Sequence, residues 1–368
     1  MMDTKIIAMY LPQFHSIPEN DSFWGKGFTD WVAVKKATSL FKGHQQPRVP
    51  LNENYYDLSM KENVKWQANL AKEYGIYGFG IYHYWFNNNK NLLTKPAELI
   101  RDNKDVDIHY FFAWDNANWK RSWSNVEGND WTPLFDNVKE KKGPVILIDY
   151  ILGSEDDWEN HYNYVKTHFF SEKYIKVDSK PVFMIYNYDE DINKMCAYWN
   201  GLAERDGFKG IHFIMKSKDE LKIPTEYNRF KYEPIHSGWR RLPLIYRINN
   251  KLRRALHLPV KLAVFDYDKI WRCLINTARE DTDNLMYHGG FVGYDDTPRR
   301  GKKGTLIVGG NADKFAKYLK ELLEISQNQK KEFIFLTAWN EWGEGAYLEP
   351  DKQNGYSYLE SLKKICQK

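Results

Sequence analysis

Eight short runs of apolar, β-branched and aromatic residues recur along the chain: KIIAMYL (5–11), YGFGIYHYW (77–85), IHYFFAW (108–114), KPVFMIY (180–186), IHFIMKS (211–217), RFKYEP (229–234), NLMYHGGFVGY (284–294) and EFIFLTAW (332–339). Segments with helical periodicity separate most of them, at 59–75, 156–169, 193–207, 269–280 and 312–327, and another, 354–368, closes the chain. Strands joined through helices are parallel neighbours, because parallel pairing needs a crossover connection. Eight such units predict an α/β fold closed into a (β/α)8 TIM barrel with enlarged loops. An open doubly wound sheet is the runner-up. It calls for a Gly-rich phosphate loop after the first strand, and MYLPQFHSIPEND is not one. With no internal repeat, low-complexity tract or linker, residues 1–368 read as a single domain.

Polar and aromatic residues gather where these runs end: YLPQFH, YHYWF, WDNANWKRSW, YNYDED, YEPIHSGW, GYDDTPRR and WNEWGEG. In a barrel those ends converge on the face that carries active sites. The chain is 16% aromatic, with 14 Trp and 25 Tyr. Rings in such number either stack on sugars or fill a large core, and composition does not choose between the two. The net charge of +4 gives no support to nucleic-acid binding. Cys196, Cys273 and Cys366 form neither a disulfide framework nor a zinc-binding spacing, which makes a reducing compartment the simpler inference; no metal or cofactor is expected. The start MMDTKIIAMYLPQFH does not read as a secretory signal, and no run reaches the ~20 apolar residues of a membrane span. A cytoplasmic location is therefore expected.

Glu341 should leave the last strand pointing into the barrel mouth, with Glu344 in the tight turn that Gly343 and Gly345 permit. Two adjacent carboxylates cannot both ionise freely, so one stays protonated near neutral pH. That is what an acid/base pair needs, and glycoside hydrolysis is the reaction class that most often uses one. The alternative is a structural strand-end residue followed by a solvated one. Trp339, Asn340 and Trp342 flank the pair and are candidates for sugar contact and desolvation. Further substrate-binding candidates are His15 and Trp24 after the first strand and His83, Tyr84 and Trp85 at the end of the second. Trp114, Asn116 and Trp119 follow the third, and Asp295, Asp296, Arg299 and Arg300 the seventh. The arginines suit a phosphate, an acidic sugar or their own neighbouring aspartates. Glu233 and His236 are weaker candidates, on position alone.

Four stretches in order, YLPQFHSIPENDSFWGKGFTDW (10–31), YGFGIYHYWF (77–86), GYDDTPRRG (293–301) and WNEWGEG (339–345), resemble the WbsX-type family of polysaccharide-biosynthesis proteins. Proteins of this family occur in O-antigen, lipopolysaccharide and capsule gene clusters and are usually labelled glycosyltransferases. Their core is similar to glycoside hydrolase family 99, the endo-α-mannosidases and mannanases, which are (β/α)8 barrels. The resemblance implies a retaining, endo-acting glycoside hydrolase or transglycosidase on an α-linked, mannose-type bacterial polysaccharide. By the E-W-x-E-G pattern, Glu341 takes the proton of the sugar 2-hydroxyl, which attacks its own anomeric carbon to give a 1,2-anhydro sugar. Glu344 protonates the leaving oxygen and then activates water or a sugar hydroxyl. One departure stands out. Where the family tends to W-A-N-E-x-W, this chain reads WDNANW (114–119), with alanine at 117 and a new acid, Asp115.

Two other readings remain open. A nucleotide-sugar glycosyltransferase fits the family label, although DYD (266–268) and DED (189–191) match a metal-binding triplet no better than chance would. A catalytically silent glycan-binding barrel would keep the aromatics and tolerate loss of either glutamate. Separately, GWRRLPLIYRINNKLRRALHLPVKLAVF (238–265) interleaves Arg240, Arg241, Arg247, Lys251, Arg253, Arg254 and Lys261 with apolar residues and contains no acid. A segment of this kind either lies on an anionic membrane surface, through about 238–262, or is an ordinary solvated helix.

Overall fold

The computed structural model describes residues 4–86, 90–120, 146–217, 223–239, 241–242, 244–256 and 262–366. Among these, eight parallel strands carry the fold: β1 (Lys5–Tyr10), β2 (Gly78–Trp85), β3 (His109–Trp114), β4 (Lys180–Ile185), β5 (His212–Lys216), β6 (Asn228–Phe230), β7 (Met286–Phe291) and β8 (Phe333–Thr337). Each pairs with the next in chain order, and β8 returns to β1 with Lys5 opposite Phe333 and Ala8 opposite Leu336. The sheet is thus closed, and the (β/α)8 barrel expected from the periodicity is the fold observed. All eight apolar runs supply their strands.

Helices Lys61–Glu73, Lys95–Asp102, Glu155–Phe169, Glu190–Arg205, Tyr267–Glu280, Ala312–Asn328 and Ser357–Cys366 cover the outside. Among the described residues no helix separates β5 from β6. The helix Lys95–Asp102, with Pro96 in its first turn, escapes sequence periodicity because it is only two turns long. β2 and β8 are covered on both faces and buried at every position, which is why their residues are mostly apolar or aromatic.

Aromatic rings fill much of the barrel. Phe335 lies 5.9 Å from Phe111 and 5.6 Å from Phe230, and Phe79 lies 4.8 Å from Tyr10. Trp114, Trp199, Trp271, Trp339 and Trp342 are completely buried. Much of the aromatic richness is therefore core. Ring bulk at these layers leaves no room at Gly80, where a Cβ would come within 2.8 Å of the Met9 sulfur and 3.0 Å of Phe111.

Candidate active site

The chain leaves β8 at Thr337 and is tied at once to the first strand. Trp339 donates its backbone N–H to the Met9 carbonyl, and the Asn340 amide bonds both the N–H and the carbonyl of Leu11. Asn340 pairs with Tyr347 and Glu341 with Ala346 in a short antiparallel ladder, closed by a helical turn at Trp342–Glu344. Gly345 ends the turn at φ 57°, in the left-handed region. Beneath it, Glu349 accepts hydrogen bonds from Tyr56, Gln67 and the Trp342 indole. Burial pushes its carboxyl up to about 7. The turn is therefore held from below and from the side.

Both glutamates of this turn reach one guanidinium. Arg299 Nη1 donates to Glu344 Oε1 at 2.9 Å, and Nη2 donates to Glu341 Oε2 at 3.2 Å. Its Nε and Nη2 also donate to Asp30 Oδ1, at 3.2 and 3.1 Å, and Asp30 Oδ2 accepts the Gly343 N–H at 3.0 Å. Gly343 makes this approach possible. A Cβ there would sit 2.5 Å from Arg299 Nε and 2.6 Å from Asp30 Oδ2. One cation facing three carboxylates cannot balance them all. Burial, reinforced by the charges of Glu344 and Asp30 and opposed by Arg299, raises Glu341 to about 8. The Glu341 side chain is only 6% exposed and that of Glu344 23%, so the second carboxylate is the one open to an incoming molecule.

Tyrosines surround Glu341. Burial raises the hydroxyls of Tyr82, Tyr84, Tyr186 and Tyr232, and the charge of Glu341 adds to the shift in each. The Tyr82 and Tyr232 hydroxyls are 3.1 Å apart. Lys216 Nζ sits 4.5 Å from the Tyr186 ring centre and 4.4 Å from that of Tyr232. Asp115 is half-buried near this group. Burial raises its carboxyl and the Lys216 charge opposes the shift. Hydroxyls, an ammonium and a carboxylate around two acids offer donors and acceptors to a polyhydroxylated ligand.

The other expected contacts separate according to strand geometry. Side chains alternate across a strand, so Tyr82 and Tyr84 face the barrel interior while His83 and Trp85 face the helices. His83 Nε2 lies 2.8 Å from His161 Nε2, with its pKa lowered to about 3 by burial, and Trp85 stacks on His161 at 4.5 Å. Trp114 is on the same outer side and donates its indole N–H to the Trp85 carbonyl. Asn116 is taken up by Asn187: its amide donates to one backbone carbonyl and accepts one backbone N–H, each at 2.7 Å. Trp339 and Asn340 are both 0% exposed and Trp342 is 1%, so all three support the turn from within.

Trp119 is half-buried, its ring 5.3 Å from Tyr84. His15 is buried beside Pro12, Asp57 and Lys95, and Trp24 packs near Phe28. Asp295 is completely buried and accepts from Gln46 and Thr297, with the His44 ring 3.1 Å away. It lines a cavity of about 430 Å³ with Arg48 and Tyr347. Asp296 pairs with Arg300 at 3.3 Å, the neighbour pairing anticipated for an arginine of this stretch, whereas Arg299 turns to the glutamates. Glu233 accepts from the Ser237 N–H and hydroxyl and is raised by burial to about 7. Residues of WDNANWKRSW beyond Lys120 lie outside the described residues. Among the described residues no group of three or more His, Cys, Asp or Glu is arranged to hold a metal.

Asp30, Lys216, Tyr82, Tyr186 and Tyr232 are the members of this cluster that sequence reasoning passed over. The tyrosine on β2 carried the period-two alternation that places it on the same face as Tyr84; Tyr186, Lys216 and Tyr232 stood at strand ends, and Asp30 lay inside the first family-like stretch.

Solved structures with this architecture include a GH99 endo-alpha-mannosidase from Bacteroides thetaiotaomicron. It is 14% identical, with a TM-score of 0.55, all of this chain covered and 97% of that one. Another is described as a glycoside hydrolase-like protein, 13% identical with a TM-score of 0.58, covering 99% and 94%. At such identities the likeness concerns the fold. Among curated relatives, the uncharacterized protein WxcX of two Xanthomonas campestris pv. campestris strains is 29% identical over 98% of this chain and 49% of its own length. The chain thus spans about half the length of the curated relatives it matches. The family model described as Glycosyltransferase WbsX matches residues 6–362, and the chain belongs to that family.

Proposed function

We propose that the protein is a retaining, endo-acting glycoside hydrolase or transglycosidase on an α-linked, mannose-type bacterial polysaccharide. The observation that supports this reading is the placement of Glu341 and Glu344 on one turn in the barrel mouth, both bonded to Arg299. Glu341 acts as the base. It does so in the form of the pair whose one proton sits on Glu344; in that form its raised pKa makes it a stronger proton acceptor than an ordinary carboxylate, which suits a sugar hydroxyl. It takes the 2-hydroxyl proton while that oxygen attacks the anomeric carbon, breaking the glycosidic bond and closing a 1,2-anhydro ring. Glu344, the more open of the two, delivers a proton to the departing oxygen. In the second step it removes a proton from water or an acceptor hydroxyl, and Glu341 returns its proton to the 2-oxygen as the ring opens. One proton held between the two carboxylates serves both roles. Trp119, Asp115 and Lys216 contribute sugar contacts at the rim. Trp339, Asn340 and Trp342 position the turn.

Incubation with α-mannan or bacterial surface polysaccharide should release fragments, and Glu341→Gln and Glu344→Gln should each lower release ~10²–10⁴-fold. Undiminished release by both variants overturns the residue assignment. The family's description favours a second reading, a glycosyltransferase. Thermal stabilisation by a nucleoside diphosphate with Mn²⁺, without fragment release, would select it.

A further inference from the structure

The helix Leu244–Ala255 presents a face that the barrel does not cover. Leu244, Ile245, Ile248, Leu252 and Leu256 are between 48% and 68% exposed. At about 100° per residue these five fall within an arc of about 120°, a continuous apolar stripe directed at solvent. Between residues 238 and 265 the sequence carries seven arginines and lysines and no acid. The helix belongs to the connection that leaves the C-terminal end of β6, so it emerges on the same side of the barrel as the mouth. Just beyond it, Ala263–Asp266 pairs in parallel with Thr305–Val308, the strand that follows the Arg299 loop. The stripe is thereby tied to the rim of the candidate site. Among the described residues, no helix is long and apolar enough to cross a membrane.

We propose that this helix lies in the plane of an anionic lipid surface. The apolar stripe enters at headgroup level, and the surrounding basic residues meet the lipid charge. Charge complementarity selects this occupant. A second copy of the chain would bring an identical basic segment against this one and be repelled, whereas an anionic bilayer neutralises it. Bound this way, the barrel turns its mouth side to the membrane. The proposal is independent of the reaction carried out in the mouth.

The test is co-sedimentation of the full chain with phosphatidylcholine vesicles, with and without phosphatidylglycerol. Binding to the anionic vesicles should exceed binding to neutral ones by about tenfold or more and should weaken as salt rises. Ile248→Glu with Leu252→Glu should abolish it without changing circular dichroism or the melting temperature, because both side chains are exposed. Reversal of Arg247, Lys251 and Arg254 to Glu should also abolish it, with the stripe intact. Equal partitioning of wild type and variants overturns the proposal. So does a wild-type dimer, seen by sedimentation velocity without vesicle binding, that the Ile248/Leu252 variant dissolves.

Discussion

The raised Glu341 carboxyl implies that the site is held at the expense of the fold, with a definite pH dependence. In the unfolded chain Glu341 titrates near its ordinary 4.5, and in the folded protein burial and its acidic neighbours raise it to about 8. The folded state therefore binds this proton more tightly. The associated stability is fully present below pH 4.5 and is lost progressively as pH rises from 4.5 through about 8. At about 1.4 kcal/mol per pH unit, the interval corresponds to a loss of up to roughly 5 kcal/mol. Glutamine has the shape of the protonated acid, can still accept from Arg299, and does not titrate. Glu341→Gln should therefore match wild type in stability near pH 4 and exceed it increasingly above pH 5, with the difference levelling off near pH 9. Urea unfolding at pH 4, 5.5, 7 and 9, read by tryptophan fluorescence, measures the gap directly. A variant less stable by the same amount at every pH would refute the reasoning, because the carboxyl would then be an ordinary packed residue.

Further outcomes follow from the same cluster. The pair works with one proton between its carboxylates, so kcat/KM on a cleaved glycan should fall about tenfold per pH unit above about 8. Gly343→Ala should destabilise the protein by ~1–3 kcal/mol in urea melts, since its Cβ meets Arg299 and Asp30. Removing the shared cation with Arg299→Met should cost ~3–5 kcal/mol at pH 8, with a smaller loss at pH 4 where Glu341 is protonated. Trp119→Ala should raise KM about 3–10-fold with kcat little changed, as expected of a ring that contacts sugar without entering the chemistry.

Strand identity was legible from local composition because a barrel strand is apolar on both faces, and runs such as EFIFL can hardly be anything else. The glutamate turn was legible for a similar reason: its glycines and its place at the end of the last run are local signals. Which of two adjacent rim residues faces inward was not read, although the information was present. His83, Tyr84 and Trp85 form one polar-aromatic cluster in the sequence, but the pleat sends only Tyr84 toward Glu341. Asp30 stands inside the first family-like stretch (10–31), but its partners could not be read. It lies 311 positions before Glu341, in a loop that follows a different strand, and only closure of β8 onto β1 brings the two together. Arg299 was visible as a charge, but its partners were not, because the nearer aspartates in sequence satisfy Arg300 and the His44–Gln46 loop instead.

The geometry around Arg299 explains why the turn needs contributions from three loops. A glutamate pair alone in a buried mouth would repel itself and open. A dedicated arginine for each glutamate would ionise both and leave no proton to transfer. Here a single guanidinium, anchored through Asp30 to the β1 loop and carried by the β7 loop, touches both glutamates of the β8 loop. Asp30 spends part of the cation's charge on itself, so what remains cannot fully ionise Glu341 against its burial. The third carboxylate is thus a tuning element as well as a strut. It follows that Asp30→Asn, which keeps the shape and most of the hydrogen bonds, should free Arg299 to draw Glu341 downward. The alkaline limb of the pH–rate profile should then move to lower pH. An unchanged limb in a folded, active Asp30→Asn protein would leave Asp30 with a purely mechanical part and return the control of that proton to burial alone.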